Sequence, residues 1–316
     1  MKRSSPKTRA MTDNAAWRSA RPALSVLVPF YRDDPSALIE ALSDEAQALG
    51  GSAELILLDD GTGDDALAER IARQVAASRL PTRFIRLKRN EGRSRGRNRL
   101  TTSARGGSFL FLDSDMMPDD RRFLQTWADL VARQDPAVAF GGFSLLQAPQ
   151  DRAFAVHRAM SQRSECIPYQ ERALQPEKYV YTSNLLVRRD VFAAEAFDSE
   201  FAGWGWEDVE WAMRVARRFR VVHLDNPATH LGLESAAKLA GKYEQSVANF
   251  ARVVDRHPDF VSQYPSYRVA RFLKSAPGVR KWRSLFKQLA LDERFPVGAR
   301  AFSLRLYRAA LYAEAV

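Results

Sequence analysis

At 316 residues, 46% hydrophobic and 27% charged, the chain has the composition of a folded protein, which excludes disordered, collagen-like and disulfide-stapled classes. Cys166 is the single cysteine, so no intramolecular disulfide forms, and a chain of this length builds a core without one. The formal charge of +10 points first to nucleic acid or an anionic membrane, but residues 1–22 carry +5 and residues 266–316 carry +8, which leaves 23–265 at −3 and argues against nucleic acid.

Residues 1–22 read as a disordered basic tail; no apolar stretch follows Lys2 and Arg3, so it does not read as a secretory signal. Leu24–Phe30 reads as a buried strand. Asp34-Pro35 then starts a helix with Leu38, Leu42, Ala46 and Leu49 on one face, ended by Gly50-Gly51. Leu55–Leu58 is a second strand, and a helix with Leu67, Ile71 and Val75 starts near Asp64. Phe84–Leu87 leads into a Gly92-rich turn and a helix through Asn98, and Ser108–Leu112 stops at Asp113-Ser114-Asp115. A helical stripe of Phe123, Trp127 and Leu130 follows. Beyond it, 137–146 and 179–187 read as strands and 151–178 as a long polar connection of the kind used as a lid or acceptor-binding segment. A helix opens at Glu207-Asp208, 220–224 is a short strand, and Leu239, Tyr243, Val247, Phe250 and Val254 form one further stripe. In the C-terminal stretch, Val279, Trp282, Leu285, Phe286 and Leu289 follow a break at Pro277-Gly278 at helical spacing, with Arg280, Lys281, Arg283 and Lys287 between them. Such a helix suits either an anionic membrane surface or packing on the preceding domain. No stretch is long and apolar enough to span a bilayer.

Strands alternating with helices predict an α/β fold with a mostly parallel, Rossmann-like sheet covered on both faces, in which ligands bind beyond the carboxyl ends of the strands. Asp59, Asp60, Asp113 and Asp115 all sit at such ends. Asp113 and Asp115 are two residues apart, where extended backbone points both side chains one way, so they suit a shared divalent cation or a solvated turn. Gly203-Trp204-Gly205-Trp206-Glu207-Asp208 combines glycines, indole faces and two acids, as a sugar site would. The same acids also complement a helix dipole, and the tryptophans would equally serve a core. Arg93, Arg95, Arg97 and Arg99 suit either a phosphate or a solvated helix face, and His230 is a lone imidazole that completes a metal site or packs structurally.

In order along the chain, LSVLVPFYR, ELILLDDGTGDD, NEGRSRGRNRLTTSARGGSFLFLDSDMMP, SNLLVRRDVF and FDSEFAGWGWEDVEWAMRV resemble the landmarks of the family 2 glycosyltransferases of the GT-A fold. The last resembles the GWG-x-ED segment of galactosyltransferase-like and chondroitin-polymerase-like members, and the likeness covers roughly residues 23–235. It implies a GT-A domain over 23–265, with a nucleotide-binding half at 23–118 and an acceptor half at 119–265, followed by a basic amphipathic helical extension at 266–316. By the same resemblance Pro29, Tyr31 and Asp60 bind the nucleotide base, Arg97 lies near the diphosphate and Asp113 on the ribose side. Asp115 and His230 hold Mn2+ or Mg2+, Trp204, Trp206 and Glu207 bind the acceptor, and Asp208 is the general base. Thr62 replaces the usual serine, and Arg32 stands where asparagine is common.

The reading is an inverting metal-dependent hexosyl- or N-acetylhexosaminyltransferase. It would use a nucleotide-diphosphate sugar, first a UDP-sugar, on a glycan or lipid-linked saccharide hydroxyl in polysaccharide or glycoconjugate synthesis. It would work in the cytoplasm or peripherally on the inner face of the cell membrane. The alternatives are a sugar nucleotidyltransferase, which has no need of an acceptor segment at Gly203–Asp208, and a nucleic-acid-binding protein, suggested by the pI of about 9.9.

Overall fold

The computed structural model describes residues 8–275 and 278–316. In chain order come β1 (Thr8–Asp13), β2 (Leu24–Phe30), α1 (Ser36–Asp44), α2 (Ala46–Leu49), β3 (Ala53–Asp59), α3 (Asp65–Ala77), β4 (Thr82–Leu87), α4 (Arg93–Ser103), β5 (Ser108–Leu112) and β6 (Met116–Pro118). They are followed by α5 (Phe123–Gln134), β7 (Val138–Phe140), β8 (Phe143–Ser144), α6 (Ala155–Ser164), α7 (Tyr169–Arg172), β9 (Asn184–Arg188), α8 (Arg189–Ala194) and α9 (Glu207–Ala216). Then come β10 (Val221–His223), β11 (Ala228–His230), α10 (Ala236–Gln245), α11 (Val247–Arg256), α12 (Pro258–Val261), α13 (Pro265–Lys274), α14 (Val279–Leu291) and α15 (Val297–Tyr312).

An eight-stranded sheet runs β1-β4-β3-β2-β5-β9-β7-β10, and β6-β11-β8 form a second, small sheet. The central pairs β4–β3, β3–β2 and β2–β5 are parallel, as expected, while β1 and β9 run antiparallel to their neighbours. Strands β3 and β5 are buried along their whole length because helices cover both faces, which is why their sequences are continuous apolar runs without alternation. One face buries Leu38, Leu42, Ile71, Val75 and Trp127, and the other Phe111, Phe192, Phe197, Trp211 and Val215. Asp64 caps α3 by accepting from the Leu67 N–H at 3.0 Å.

Three expectations are corrected, and one open alternative is filled in. Residues 8–13 of the supposed tail form an edge strand on β4: the polar run Thr8–Asp13 lacks an apolar face, and it is held by Arg83–Asp13 at 2.7 Å and by Asn14, whose Nδ2 donates to the Leu80 carbonyl. Residues 1–7 and the break at Pro277 lie outside the described residues. The connection at 151–178 is largely helical, since it holds α6 and α7. The expected strand 137–146 splits into β7 and β8 at Gly141-Gly142, and 179–187 becomes strand only at Asn184. Finally, the extension packs on the domain, one of the two alternatives left open for it. In a third core, α15 buries Leu304, Tyr307 and Tyr312 against Tyr243, Phe250 and Val253 of α10 and α11, which meet at Ser246, where one continuous stripe was expected.

Candidate active site

The carboxyl ends of β2, β3 and β5 lie side by side in the parallel sheet, so the residues that follow them share one edge. After β2, Pro29 is half-buried, and Tyr31 is 42% exposed with the Arg32 guanidinium 5.0 Å over its ring. After β3, Asp60 turns onto the β4–α4 loop. Its Oδ1 accepts from the Glu91 N–H at 2.8 Å, and its Oδ2 from the Gly92 N–H and Asn90 Nδ2 at 3.0 Å each. Burial pushes its pKa up to about 6 against those backbone bonds. Asp60 therefore anchors the loop that launches α4, and any base contact there competes with three existing bonds.

Helix α4 presents Arg93 and Arg97, one turn apart, to two acids. Arg97, 1% exposed, donates from Nη2 to Asp113 Oδ1 at 2.6 Å and holds Nη1 3.5 Å from Glu207 Oε1. Arg93 donates from Nε to the same Glu207 oxygen at 2.6 Å and reaches Asp113 Oδ2 at 3.5 Å. Burial alone would raise both acids, but the two guanidiniums hold Asp113 and Glu207 below the usual carboxylate range; Arg97 and Glu207 are buried, while Arg93 and Asp113 form the partly exposed rim of this charged quartet. Arg97 Nε is buried without a hydrogen-bond partner among the described residues.

Asp113 and Asp115, two residues apart, have different partners. Asp113 is engaged by arginines, and Asp115 alone faces His230, whose Nε2 lies 3.2 Å from its Oδ2. Strand pairing fixes this meeting, since His230 of β11 sits opposite Met116 of β6, directly after Asp115. A Cβ on Gly232 would fall 1.9 Å from Asp115 Oδ2 and 3.1 Å from His230 Nε2, so glycine there keeps the pair open. One carboxylate and one imidazole, in a cradle a side chain would fill, fit a divalent cation of the Mn2+ class. Burial alone would lower the His230 pKa, but the bond and charge of Asp115 raise it.

At the start of α9, Trp206 has φ +74°, a left-handed conformation that a bulky residue adopts only when surroundings hold it. They do. Its indole N–H donates to the Tyr312 hydroxyl of α15 at 2.9 Å, and its ring packs 4.8 Å from Phe250. Of the residues expected at the acceptor, Trp206 is half-buried with its N–H engaged by Tyr312, and Glu207, 3% exposed, is held by Arg93 and Arg97. Trp204 is half-buried, 6.0 Å from the Tyr243 ring, with Lys242 Nζ 5.5 Å from its own ring. Asp208 is half-buried at the first turn. Burial and then the adjacent Glu207 charge push its pKa up to about 7 against the pull of Arg93 and Arg97. A carboxylate poised there suits a general base.

Sequence reasoning missed His157 and Glu165, whose ligand atoms lie within 4.8 Å of each other and of His230. His157 Nδ1 accepts from the Glu234 N–H at 2.9 Å, and burial lowers its pKa to about 4. The neutral ring then carries its proton on Nε2, which makes it a donor beside the site and not a metal ligand. Both residues lie in the segment read as a polar connection, which gave no periodic signal.

The model of the family described as "Glycosyl transferase family 2" matches residues 25–194. The chain belongs to glycosyl transferase family 2. Gly203–Asp208 falls outside that match. Residues of this family 2 chain are 33% identical over 93 residues to an uncharacterized glycosyltransferase, YfnE, of Bacillus subtilis (strain 168), over 29% of this chain and 23% of that protein. They are 30% identical over 95 residues to an N-acetylglucosaminyltransferase of Rhizobium leguminosarum bv. phaseoli, over 30% of this chain and 22% of that one. The chain thus matches under a quarter of the length of either relative. Among solved structures, a mannosyltransferase from Pyrobaculum calidifontis in complex with GDP-Man and Mn2+ superposes with a TM-score of 0.60 at 13% identity, covering 94% of this chain and 88% of that one. S. aureus TarS 1–349 gives 0.52 at 15% identity, over 92% and 89%. These likenesses establish the GT-A fold.

Proposed function

We propose that the protein is an inverting, metal-dependent glycosyltransferase that moves a sugar from a nucleotide-diphosphate donor to a hydroxyl of a glycan or lipid-linked saccharide. The observation that carries this reading is Asp208, a carboxylate with a pKa raised to about 7 beside the Arg93–Arg97–Asp113–Glu207 quartet. Asp208 takes the proton of the acceptor hydroxyl as its oxygen bonds to the anomeric carbon and the bond from that carbon to the diphosphate oxygen breaks. A divalent cation held by Asp115 and His230 would supply charge against the departing diphosphate. Tyr31 and Pro29 supply a rim for the base, and Trp204 an indole face for the acceptor. The resemblance to galactosyltransferase-like and chondroitin-polymerase-like enzymes at Gly203–Asp208 favours inversion and a UDP-linked hexose or N-acetylhexosamine; the Rhizobium relative supports the N-acetylhexosamine, and the mannosyltransferase complex supports a Mn2+-assisted donor.

A thermal-shift screen of nucleotide sugars with and without manganese tests the donor. The true donor at about 100 times its dissociation constant adds roughly 2.7 kcal/mol, with manganese required. Stabilisation by no nucleotide sugar, or release of pyrophosphate in place of nucleoside diphosphate, would overturn the reading in favour of a nucleotidyltransferase or a non-enzyme.

We also propose attachment to an anionic membrane surface from the cytoplasmic side. No helix among the described residues is long and apolar enough to cross a membrane. Helices α13 and α14 expose Phe272 (76%), Trp282 (49%) and Leu285 (41%) beside Arg271 and Lys281. Because α15 belongs to the core, truncation at residue 266 would unfold the protein; Phe272→Ser with Trp282→Ser is the usable variant. Its sedimentation with phosphatidylglycerol liposomes should fall several-fold at unchanged melting temperature, and unchanged sedimentation would refute attachment through these helices.

A further inference from the structure

Arg163 at the end of α6 and Arg305 and Arg308 of α15 make no side-chain hydrogen bond or ion pair with any described residue, in contrast to most arginines of this chain. They are neighbours. Helix α15 packs on α6 and α10, and the charges of Arg308 and Arg163 add to burial in pulling the Arg305 pKa down. The Arg308 guanidinium lies 5.2 Å over the Tyr243 ring, whose other neighbour is Trp204 at 6.0 Å. The cluster also lies toward the base: Arg308 interacts with Tyr181 and Glu165, and Tyr181 in turn with Asp208. Lys242, the remaining cation of this wall, is paired with Glu234 at 2.6 Å. Among the carboxylates, the charge of Glu165 acts on Arg308.

Grouping like charges without partners is unfavourable, so their retention on three positions of one wall points to an anion that is absent from the free protein. Guanidiniums match phosphate oxygens in paired hydrogen bonds better than any other side chain. The donor diphosphate belongs at Arg97 and Asp115, on the strand-end side of Asp208; the cluster lies on the side of Trp204, where the acceptor would enter. Resting on the glycosyltransferase reading, we propose that the acceptor carries a phosphate group close to the hydroxyl that is glycosylated, and that Arg163, Arg305 and Arg308 receive it. Trp204, half-buried against Tyr243, then supplies a ring face for the sugar next to that phosphate.

The test compares wild type with Arg305→Gln/Arg308→Gln and, separately, with Arg163→Gln, whose exposed side chain makes a folding defect improbable on physical grounds; Arg294→Gln, on the same C-terminal segment, is the charge-matched control. Calorimetric titration with methyl phosphate reads the site directly. Because the donor-side residues are intact in every variant, phosphate binding there cancels in the difference. The expected result is a binding component in wild type and Arg294→Gln that weakens roughly tenfold or more in the double variant and less in Arg163→Gln. Flotation with phosphatidylcholine vesicles, with and without phosphatidic acid, separates the sources. A difference between wild type and double variant confined to phosphatidic acid places the phosphate on a lipid anchor; a difference with methyl phosphate places it on a soluble or polymeric acceptor. Identical titrations and identical flotation overturn the proposal, and if the double variant does not fold, Arg163→Gln alone decides it by the same comparison. Failure of the donor screen would instead remove the glycosyltransferase reading and leave the phosphate titration standing by itself.

Discussion

Asp208→Asn is expected to lower turnover by roughly 10² to 10⁴ while leaving donor affinity nearly intact. The amide keeps the shape of the side chain and its place at the first turn of α9 but cannot take a proton. The pH profile gives an independent reading of the same group. Burial, reinforced by the charge of Glu207, raises its pKa to about 7, so below that value the base is increasingly protonated. Wild-type kcat/KM should then climb about tenfold per pH unit up to about 7 and level off above it, whereas the residual rate of the variant should lack that limb. Stability should move the other way. A carboxyl raised from 3.8 to about 7 on folding favours the folded state fully only below the lower value, and that contribution is lost as pH rises through the upper one. Asp208→Asn should therefore melt higher than wild type at pH 8 and no higher at pH 4. Wild-type turnover in the variant, or a wild-type profile without an acid limb near 7, would remove Asp208 from the chemistry.

The contrast between Asp208 and its neighbour shows what was legible in the sequence. The alternation of β-branched runs with amphipathic stripes gives the central strands and the helices over them, because burial on both faces leaves a continuous apolar run that needs no knowledge of partners. The edge strand Thr8–Asp13 is held by its pairing with β4, by the Arg83–Asp13 ion pair and by Asn14, and nothing local in that polar run marks it. At the site, motif order locates the acids, but the division of labour among them depends on who faces whom. Asp113 and Asp115 are two residues apart and point to different partners, arginines for one and His230 for the other. Glu207 and Asp208 are adjacent, yet the first is paired with Arg93 and Arg97, more than 100 positions away in the chain, while the second is raised by burial and then by the charge of the first. Trp206 suits a sugar platform or a core equally in the sequence; only Tyr312, more than 100 positions away in the C-terminal segment, shows where its N–H is engaged.

Arg97→Met should be the most destabilising single change near the site, costing about 3–5 kcal/mol and lowering the melting temperature by on the order of 10 °C. The methionine fills the volume, but it removes the 2.6 Å bond to Asp113 and the 3.5 Å contact to Glu207, and leaves Arg93 alone against two acids. Glu207 is 3% exposed, so water cannot replace the lost cation. Arg97→Lys should fall between the two, since an ammonium restores the charge without the fork that spans both acids. The decisive comparison is Arg97→Met combined with Glu207→Gln. That pair removes one charge of each sign, leaving Arg93 with Asp113, and the double variant should be more stable than the sum of the single effects by about 1–3 kcal/mol in a double-mutant cycle. Additive losses would mean that the two charges do not act on each other. Asp113 would then be the only partner of Arg97 that matters, and the lowered pKa of Glu207 would have to rest on Arg93.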